Sequence, residues 1–313
     1  MERLTGGARV PDHLRGSVLA LGNFDGFHLG HQAVVARAVE WARKEGRPVM
    51  VATFDPHPVR FFRPESPPFA LTNVEQRARL FAAAGADAML IFRFDGDLAA
   101  LSAEEFVRDL LVDLTGAAHV VTGEDYTFSK GREGNISVLE ALGRKYGIGT
   151  EAVPPVCDDV GPISSSRIRN ALKIGDCDEA KRLLTRPFAV QAVVQQGDKI
   201  GRTWGFPTAN LALGNYVRAA YGVYAVRGRL PDGRTLDGAA NLGVRPQFDV
   251  PKELLEPHFF DFTGDLYDQV IEVELSSYIR PEARFDGFDA LIAQIGHDCE
   301  EARRRLAALA QKG

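Results

Sequence analysis

Two histidines, His28 and His31, stand three residues apart where a predicted strand gives way to a predicted helix. The strand is the apolar run Val18–Leu21, and the helix is predicted from about residue 31 to residue 44. Free backbone N–H groups and the positive end of the helix dipole make such a helix start an anion site. Because both imidazoles belong to the first turn, both can donate to one polyphosphate. The spacing therefore predicts a phosphate cradle.

The same segment contains Gly22 and Gly30, which let the backbone approach phosphate oxygens closely. It has neither the lysine of a Walker loop nor the glycine spacing of a dinucleotide-binding fingerprint. From the residues alone, two other interpretations stay open: histidines that cap a turn, and half of a metal site. A metal ion would need further ligands, and only His57 and His119 are nearby candidates.

A second glycine-spaced segment covers residues 197–210 and follows a predicted strand without opening a clear helix. That context excludes an ordinary P-loop. A glycine-spaced flap can still close over phosphates and exclude water. Thr208 and Asn210 fall on the same side of an extended chain, so both oxygens can reach one hard cation. From the residues alone, a simple turn at 207–210 explains this part of the segment equally well.

Strands alternate with helices through the first half of the chain, which predicts a Rossmann-like parallel sheet with right-handed crossovers. Short apolar runs predict strands at 18–21, 49–54, 88–92, 119–122 and 149–153. Helical periodicity predicts helices at 31–44, 74–84, 103–115 and 136–146, and two shorter ones at 166–174 and 177–185. This half of the chain is therefore expected to be α/β.

Alternating runs separated by turn residues dominate the second half and predict a small antiparallel β-barrel. The strands are predicted at 188–195, 222–228, 236–242, 256–261 and 270–277. One amphipathic helix at 288–310 is expected to close the fold. A length of 313 residues fits two domains, and we place them at 1–185 and 186–313.

The net charge of −5 argues against non-specific nucleic-acid binding, which needs a basic excess to neutralise phosphates. Cys157, Cys177 and Cys299 are widely separated and fit unpaired thiols in a reducing compartment.

The N-terminal residues lack the apolar segment of a signal peptide, and no run is long enough to span a bilayer. We therefore expect a cytoplasmic protein with no membrane or nucleic-acid partner. The sequence leaves open whether a weak homo-oligomer forms.

The decapeptide from Gly22 to His31 resembles the HxGH signature of the adenylyltransferase superfamily, and its Asn-Phe-Asp-Gly portion is similar to the bacterial FAD synthetase branch. Further segments match that branch in order along the chain, at residues 54–58, 123–128, 130–132 and 163–169. The resemblance implies attack of the FMN phosphate on the α-phosphorus of ATP, with release of pyrophosphate. Such a transfer depends on positioning and charge neutralisation more than on a covalent nucleophile.

This resemblance also implies roles for the matching residues. His28 and His31 would stabilise charge that develops on the α- and β-phosphates. Ser164, Ser165 and Arg169 would hold the outer phosphates, since an arginine fork binds two oxygens at once. The other implied ATP and phosphate contacts are Gly22, Phe24, Asp25, Gly30 and His57. The implied flavin contacts are Phe62, Asp125 and Phe128; for Phe62, core packing is an equally good interpretation.

The segment 197–210 closely resembles the signature of riboflavin kinases, and later segments match that family in order, at 221–224, 241–246, 256–262 and 279–285. The resemblance implies transfer of the γ-phosphoryl group of MgATP to the 5′-hydroxyl of riboflavin. Glu256 matches the base that accepts the hydroxyl proton. Thr208 and Asn210 match the Mg²⁺-binding pair, and Arg280 falls in the loop that meets the flavin. The flap residues implied to cover the phosphates are Gly197, Lys199 and Gly201.

The chain departs from the family patterns at Asn135, Gln247, Pro257 and Asp268, and none of these removes an implied Mg²⁺ ligand or the base. The leading interpretation is a bifunctional enzyme that uses ATP, riboflavin and FMN, with Mg²⁺ accompanying ATP and with FMN and FAD as bound flavins. One alternative is an adenylyltransferase alone, acting on another phosphate-bearing acceptor. The other is a flavin-binding sensor with inactive sites.

Overall fold

The computed structural model describes residues 1–196, 206–245 and 252–311, and the chain forms two compact units. The first unit comprises Met1–Ser66 and Val74–Ser164, and the second comprises Pro67–Asn73 and Ser165–Gly313. The two short helices that follow Ser164 thus pack with the second unit, although the sequence assigns them to the first functional domain. The functional boundary at 185/186 stays a prediction, because packing does not assign a residue to a reaction.

The first unit is built on a six-stranded sheet in which every pairing is parallel, as predicted. In chain order its strands are β1 Glu2–Thr5, β2 Val18–Leu21, β3 Val49–Asp55, β4 Ala88–Arg93, β5 His119–Gly123 and β6 Gly149–Val153. Their order in space is β1-β4-β3-β2-β5-β6. The progression reverses between β2 and β5, so the carboxyl ends of these strands form a topological switch point, where ligands bind in such sheets.

Helices cover both faces of this sheet. They are α1 Leu29–Glu45, α2 Pro58–Phe62, α3 Val74–Ala83, α4 Gly96–Ala100, α5 Ala103–Glu105 and α6 Ile136–Tyr146. The predicted helix 103–115 is helical, but after α5 it continues as the π-helix Phe106–Leu114, and the N–H of Thr115 bonds to the carbonyl of Leu110 five residues back. The unit also contains two 3₁₀ turns, at Asp12–Leu14 and Lys130–Arg132. A short hairpin completes it, formed by β7 Cys157–Asp158 and β8 Gly161–Pro162.

Two apolar layers fill the faces of the sheet, and the residues of β2 divide between them. Val18 and Ala20 pack with residues of α1 and α3, whereas Leu19 and Leu21 pack with residues of the π-helix and α6. All four residues of β2 are buried. A central parallel strand covered on both faces reads as a continuous apolar run, which is why its sequence shows no alternation.

The second unit is built on a closed six-stranded antiparallel barrel, as predicted. Its strands are β9 Phe188–Gln195, β10 Asn210–Ala212, β11 Gly222–Arg229, β12 Thr235–Arg245, β13 Lys252–Phe259 and β14 Val270–Pro281, in the spatial order β10-β13-β12-β11-β14-β9. Within its described residues the helices are α7 Ser165–Lys173, α8 Cys177–Leu184 and α9 Phe288–Ala310. In the part of the chain that the structure describes, no helix is both long and apolar enough to cross a membrane.

The helix α9 covers part of the outer surface of the barrel. Ala225 and Ala239, which are paired across β11 and β12, pack in one cluster with Leu306 of α9. Alternate residues of β11 face the other way, and Tyr224 and Val226 are fully buried. The side of β12 that carries Ala239 is therefore the outer side of the barrel.

Candidate active sites

His28 is the N-cap of α1 and is buried, with 5% of its surface exposed. Its Nδ1 accepts a hydrogen bond from the backbone N–H of Gly30 at 3.2 Å. Because Nδ1 is an acceptor, the neutral imidazole carries its proton on Nε2. The helix cap thus fixes the tautomer and makes Nε2–H the donor that a phosphate oxygen would accept.

His31 lies in the first turn of α1, and its ring stacks on that of His28, with centroids 3.7 Å apart and planes inclined by 23°. The ring of Phe24 meets that of His31 edge-on at 5.4 Å. The structure therefore brings the two histidines together as their spacing predicts. Their contact with phosphate, and that of Phe24 with ATP, stay predictions.

The loop between β2 and α1 has an unusual backbone. Phe24 and Phe27 have positive φ angles of 50° and 45°, and Gly26 between them has a φ of 83°. Positive φ is uncommon for residues with a Cβ and persists only where packing compensates for it. Both phenylalanines are buried and meet the ring of Phe81 edge-on, at 5.6 and 5.1 Å. Backbone strain held by packing in this way concentrates at functional sites.

Gly22 and Gly30 lie where a side chain would crowd a neighbouring ring. A Cβ at Gly30 would be 3.2 Å from Cε1 of His28, and a Cβ at Gly22 would be 3.1 Å from the ring of Phe24. Packing of these rings therefore accounts for both glycines. The close approach of their backbone to phosphate stays a prediction.

Beneath the loop lies a buried arginine that the sequence did not reveal as part of a site. Arg77 of α3 is 6% exposed, and its Nη1 donates to Oγ1 of Thr53 at 2.8 Å. Burial lowers the pKa of Arg77, and the carboxylates of Asp25 and Asp55 oppose that change by stabilising its charge. Asp25, predicted to contact ATP, is itself 5% exposed. No spacing rule separates Arg77 from the exposed Arg79 on the same helix.

His57, the third predicted phosphate-binding histidine, also caps a helix. Its Nδ1 accepts from the backbone N–H of Val59 at 3.1 Å at the start of α2, so the neutral ring carries its proton on Nε2. His57 follows β3, and β3 pairs with β2. Each of these two neighbouring strands is therefore followed, at its carboxyl end, by a histidine that caps a helix.

The three predicted flavin contacts differ in exposure. Phe62 is 64% exposed and meets Phe94 edge-on at 5.7 Å, so it is not a core residue. Asp125 is exposed in the loop after β5. Phe128 is 6% exposed and packs in the core against Phe106, with ring centroids 5.0 Å apart. Contact of these three residues with flavin stays a prediction.

The residues predicted to hold the outer phosphates span the boundary between the two units. Ser164 is the last residue of the first unit, and Ser165 is the first residue of α7 in the second. Arg169 of α7 donates from Nε to the carbonyl oxygen of Phe69 at 2.7 Å, and its guanidinium lies 5.1 Å from the centre of that ring. The action of these three residues on phosphate stays a prediction.

In the second unit, the predicted Mg²⁺ pair lies on one side of the chain. Ala209 is buried, whereas Thr208 and Asn210 on either side of it are half-buried. The strand begins at Asn210, and the backbone N–H of Ala209 donates to the carbonyl oxygen of Pro257, which favours the extended interpretation over the simple turn. Binding of Mg²⁺ by Thr208 and Asn210 stays a prediction. The flap residues Gly197, Lys199 and Gly201, together with Gln247, lie outside the described residues.

Cross-strand register brings the predicted base next to this pair. Leu211 pairs with Leu255, so one step further along the same antiparallel register Asn210 stands opposite Glu256. On its other side Glu256 pairs with Asn241 of β12. Residues directly opposite each other project to the same face of a sheet. Asn241 is two residues beyond Ala239, so all three side chains belong to the outer face.

The donor set at this face suits a hard cation. Thr208 offers a hydroxyl, Asn210 an amide oxygen and Glu256 a carboxylate, and Mg²⁺ prefers oxygen ligands. Proteins usually hold Mg²⁺ through one or two side chains while substrate phosphates and water fill the other positions. Across residues 1–196, 206–245 and 252–311, no three His, Cys, Asp or Glu side chains form a metal cluster. The three oxygen donors at this face fit an ion whose other ligands come from substrate phosphates and water, and binding of Mg²⁺ stays a prediction.

His258, two residues past Glu256, holds the segment that leads to the Mg²⁺ pair. Its Nδ1 lies 2.9 Å from the carbonyl oxygen of Pro207. A carbonyl only accepts, so Nδ1 is the nitrogen that carries the proton. Phe206 packs edge-on against the same imidazole at 5.4 Å. The sequence placed His258 in a matched segment but gave it no role.

Arg280, expected in a loop that meets the flavin, lies instead near the end of strand β14 and is held by a carboxylate of α9. Its Nε and Nη2 donate to the two carboxylate oxygens of Asp298 at 2.9 and 2.6 Å, and Asp298 also accepts from Gln294 at 2.9 Å. Nη1 of Arg280 donates to the carbonyl oxygen of Pro281. Arg280 therefore ties α9 to the barrel, and its contact with flavin stays a prediction.

Comparisons with known proteins assign each half of the chain to a family model. The FAD synthetase model matches residues 10–167, and the riboflavin kinase model matches residues 184–306.

The bifunctional riboflavin kinase/FMN adenylyltransferase of Escherichia coli (strain K12) is 40% identical over 288 residues, 92% of each chain. The protein of that name from Pseudomonas fluorescens is 41% identical over 303 residues, 96% of each chain. A crystal structure described as a macrolide-efflux protein from Streptococcus pneumoniae is 32% identical, with a TM-score of 0.85 over 97% of this chain and 99% of that one.

Proposed function

Since the chain belongs to the family of bifunctional riboflavin kinases/FMN adenylyltransferases, we propose that its two reactions are divided between two separate sets of residues. The barrel carries out phosphorylation of riboflavin to FMN with MgATP. The parallel-sheet unit supplies His28 and His31 for adenylylation of FMN to FAD. The observation that carries this division is the presence of two independent groups of polar side chains, each suited to its own phosphoryl chemistry.

Adenylyl transfer joins a phosphate oxygen of FMN to the α-phosphorus of ATP, while the bond from that phosphorus to the oxygen bridging to the β-phosphate breaks and pyrophosphate leaves. Negative charge grows on the leaving pyrophosphate. His28, whose Nδ1 is occupied by the N–H of Gly30, directs its Nε2–H to these oxygens. Preorganised donors of this kind lower the barrier because they need no reorientation as charge develops.

Phosphoryl transfer in the barrel joins the 5′-oxygen of riboflavin to the γ-phosphorus of ATP and releases ADP. Glu256 accepts the proton of the attacking hydroxyl, a general-base role that typically contributes about 10²–10⁴-fold. Mg²⁺, when bound with ATP, neutralises charge on the phosphates, and Thr208 and Asn210 would hold it. The adjacency of Asn210 and Glu256 in the barrel register supports this assignment.

The alternatives account for less of the molecule. An adenylyltransferase acting alone leaves the Thr208–Asn210–Glu256 arrangement without a purpose, and a flavin sensor requires no base. The description of the pneumococcal structure as an efflux protein concerns that protein, and both family models point to flavin chemistry. A cytoplasmic location stays a prediction.

Replacement of one histidine tests the assignment of the first site. We expect His28→Ala to lower the rate of FAD formation from FMN and ATP by about 10²–10³-fold, the usual effect of removing one preorganised donor. The same variant should convert riboflavin to FMN at the wild-type rate. His13→Ala, which removes an exposed histidine of the same unit, is the control and should leave both rates unchanged.

Liquid chromatography of the flavins, with riboflavin or FMN supplied separately, measures both activities. A folded His28→Ala protein that lost both activities, or neither, would contradict the proposed division.

A further inference from the structure

Arg77 is a buried arginine, with only 6% of its surface exposed. Taking a guanidinium out of water is costly unless hydrogen bonds and opposite charges compensate. A buried arginine therefore has either a structural or a functional reason to be there, and its partners indicate which.

The partners of Arg77 lie at the carboxyl ends of the two central strands. Nη1 donates to Oγ1 of Thr53 at 2.8 Å and contacts the carbonyl oxygens of Asn23 at 3.3 Å and Phe54 at 3.4 Å. The hydroxyl of Thr53 in turn donates to the carbonyl of Asn23 at 2.9 Å. One side-chain nitrogen thus joins the loop after β2 to the end of β3.

Two carboxylates balance the charge of this group. Nη2 of Arg77 lies 3.8 Å from Oδ1 of Asp55, and Asp25 stabilises the guanidinium from the loop after β2. Asp25 is as buried as Arg77, whereas the side chain of Asp55 is 55% exposed. One acidic residue from each of the two strand ends therefore offsets the charge of the arginine.

Each of these strand ends leads directly to a helix-capping histidine. The loop anchored at Asn23 contains Phe24, with its positive φ, and ends at His28. The strand anchored at Thr53 runs through Asp55 to His57. A group that joins Asn23 to Thr53 therefore acts on the two segments that carry these histidines.

We infer that Arg77 is a positioning residue for adenylyl transfer: it locks the β2 and β3 ends together and thereby sets His28 and His57 at the distance that one polyphosphate requires. This inference rests on the proposed function of the first unit. Arg77 contacts no reacting atom in this scheme and acts only through the segments that it joins. Because misplacement of a catalytic group by about 1 Å costs about 100-fold in rate, a small shift of either segment should have a large effect.

Two substitutions separate positioning from folding. We expect Arg77→Met to lower kcat for FAD formation by about 100-fold, and Arg77→Lys, which keeps the charge and a donor, to lower it by only about tenfold. FMN formation by the barrel in the same protein should not change. Arg79→Met and Arg79→Lys, at an exposed position of the same helix, are the matched controls and should keep both rates.

Hydrogen exchange of the full chain, measured by mass spectrometry, shows whether a substitution at Arg77 disturbs the fold itself. We expect peptides covering β2 and β3 to stay protected in Arg77→Lys while its kcat falls.

Wild-type FAD formation in both Arg77 variants would overturn the inference. A fall in rate that only matches a loss of protection in β2 and β3 would overturn it as well, because unfolding would then explain the effect. Retention of FAD formation by His28→Ala would instead overturn the proposed function, whatever the Arg77 variants do.

Discussion

The first unit presents its histidines at helix starts beside the edge of a parallel sheet, whereas the second presents its polar side chains from strands of an antiparallel barrel. His28 and His31 lie within one turn of a helix, and their stacking at 3.7 Å follows from that spacing. Asn210, Asn241 and Glu256 come from three different strands and lie side by side on one face only because the strands pair in a particular register.

This difference decides how each site responds to change. A site built within one turn depends on local geometry, such as the cap that His28 makes with Gly30. A site built from three strands depends on the barrel as a whole, because a slip of one residue in register would turn Glu256 to the opposite face. The two kinds of site should therefore respond differently to substitution.

The largest expected effect is on the barrel. Glu256→Gln removes the base but keeps the size of the side chain, so FMN formation should fall by about 10²–10⁴-fold while FAD formation from supplied FMN stays at the wild-type rate. Separate rate measurements with riboflavin and with FMN check this expectation. Asp232→Asn in the exposed turn before β12 is the control. An equal loss of both activities would show that the two sites are not independent.

The attachment of α9 to the barrel should also be measurable. Asp298→Ala leaves Arg280 without its bidentate partner, and we expect the free energy of unfolding to fall by about 2–3 kcal/mol. Urea denaturation of the full chain measures this change, with Glu300→Gln, an exposed position on α9, as the control. Unchanged stability together with weaker riboflavin binding would instead assign Arg280 to the flavin.

A smaller effect is expected from crowding the histidine cap. In Gly30→Ala the new methyl group would lie 3.2 Å from the ring of His28, so the imidazole must move by a few tenths of an ångström. We expect about a tenfold loss of FAD formation and no change in FMN formation, as judged by kcat for each reaction. Gly296→Ala in α9, where a methyl group meets open space, should leave both rates unchanged. Wild-type FAD formation by Gly30→Ala would mean that the cap geometry does not matter.

The smallest effect is on the reactivity of the thiols, which should differ between the exposed and the buried cysteines of the two units. Burial raises the pKa of Cys177 to about 12 and that of Cys299 to about 11, so little of either thiol is ionised at neutral pH. Cys157 in the first unit is exposed. We expect alkylation followed by mass spectrometry to modify Cys157 first and Cys177 last, and all three at similar rates in urea. Early modification of Cys177 in the folded protein would contradict the packing of α8.

Periodic elements were largely predictable from the sequence. The strand at 18–21, the helix at 136–146 and the closing helix at 288–310 have the predicted bounds, because their apolar patterns match their geometry. The short strands Glu2–Thr5 and Asn210–Ala212 were missed. Neither has enough apolar residues to show alternation, and each becomes a strand only by pairing with a neighbour.

In the candidate sites, likewise, local contacts were predictable and contacts made only by the tertiary fold were not. The pairing of His28 with His31 was predictable because it is local, and the Thr208–Asn210 pair followed from alternation. Arg77 was not predictable, since only the tertiary fold brings α3 against the ends of β2 and β3. The link between Arg280 and Asp298 depends likewise on how α9 docks on the barrel.

The division of the two reactions is tested most directly by mixing two variants. Riboflavin and MgATP are supplied to His28→Ala, to Glu256→Gln and to an equal mixture of both, and the flavins are followed over time by liquid chromatography. The proposed division predicts that His28→Ala accumulates FMN, that Glu256→Gln leaves riboflavin unchanged, and that the mixture forms FAD. FAD formation at the wild-type rate by His28→Ala alone, or no FAD from the mixture of two folded variants, would contradict it.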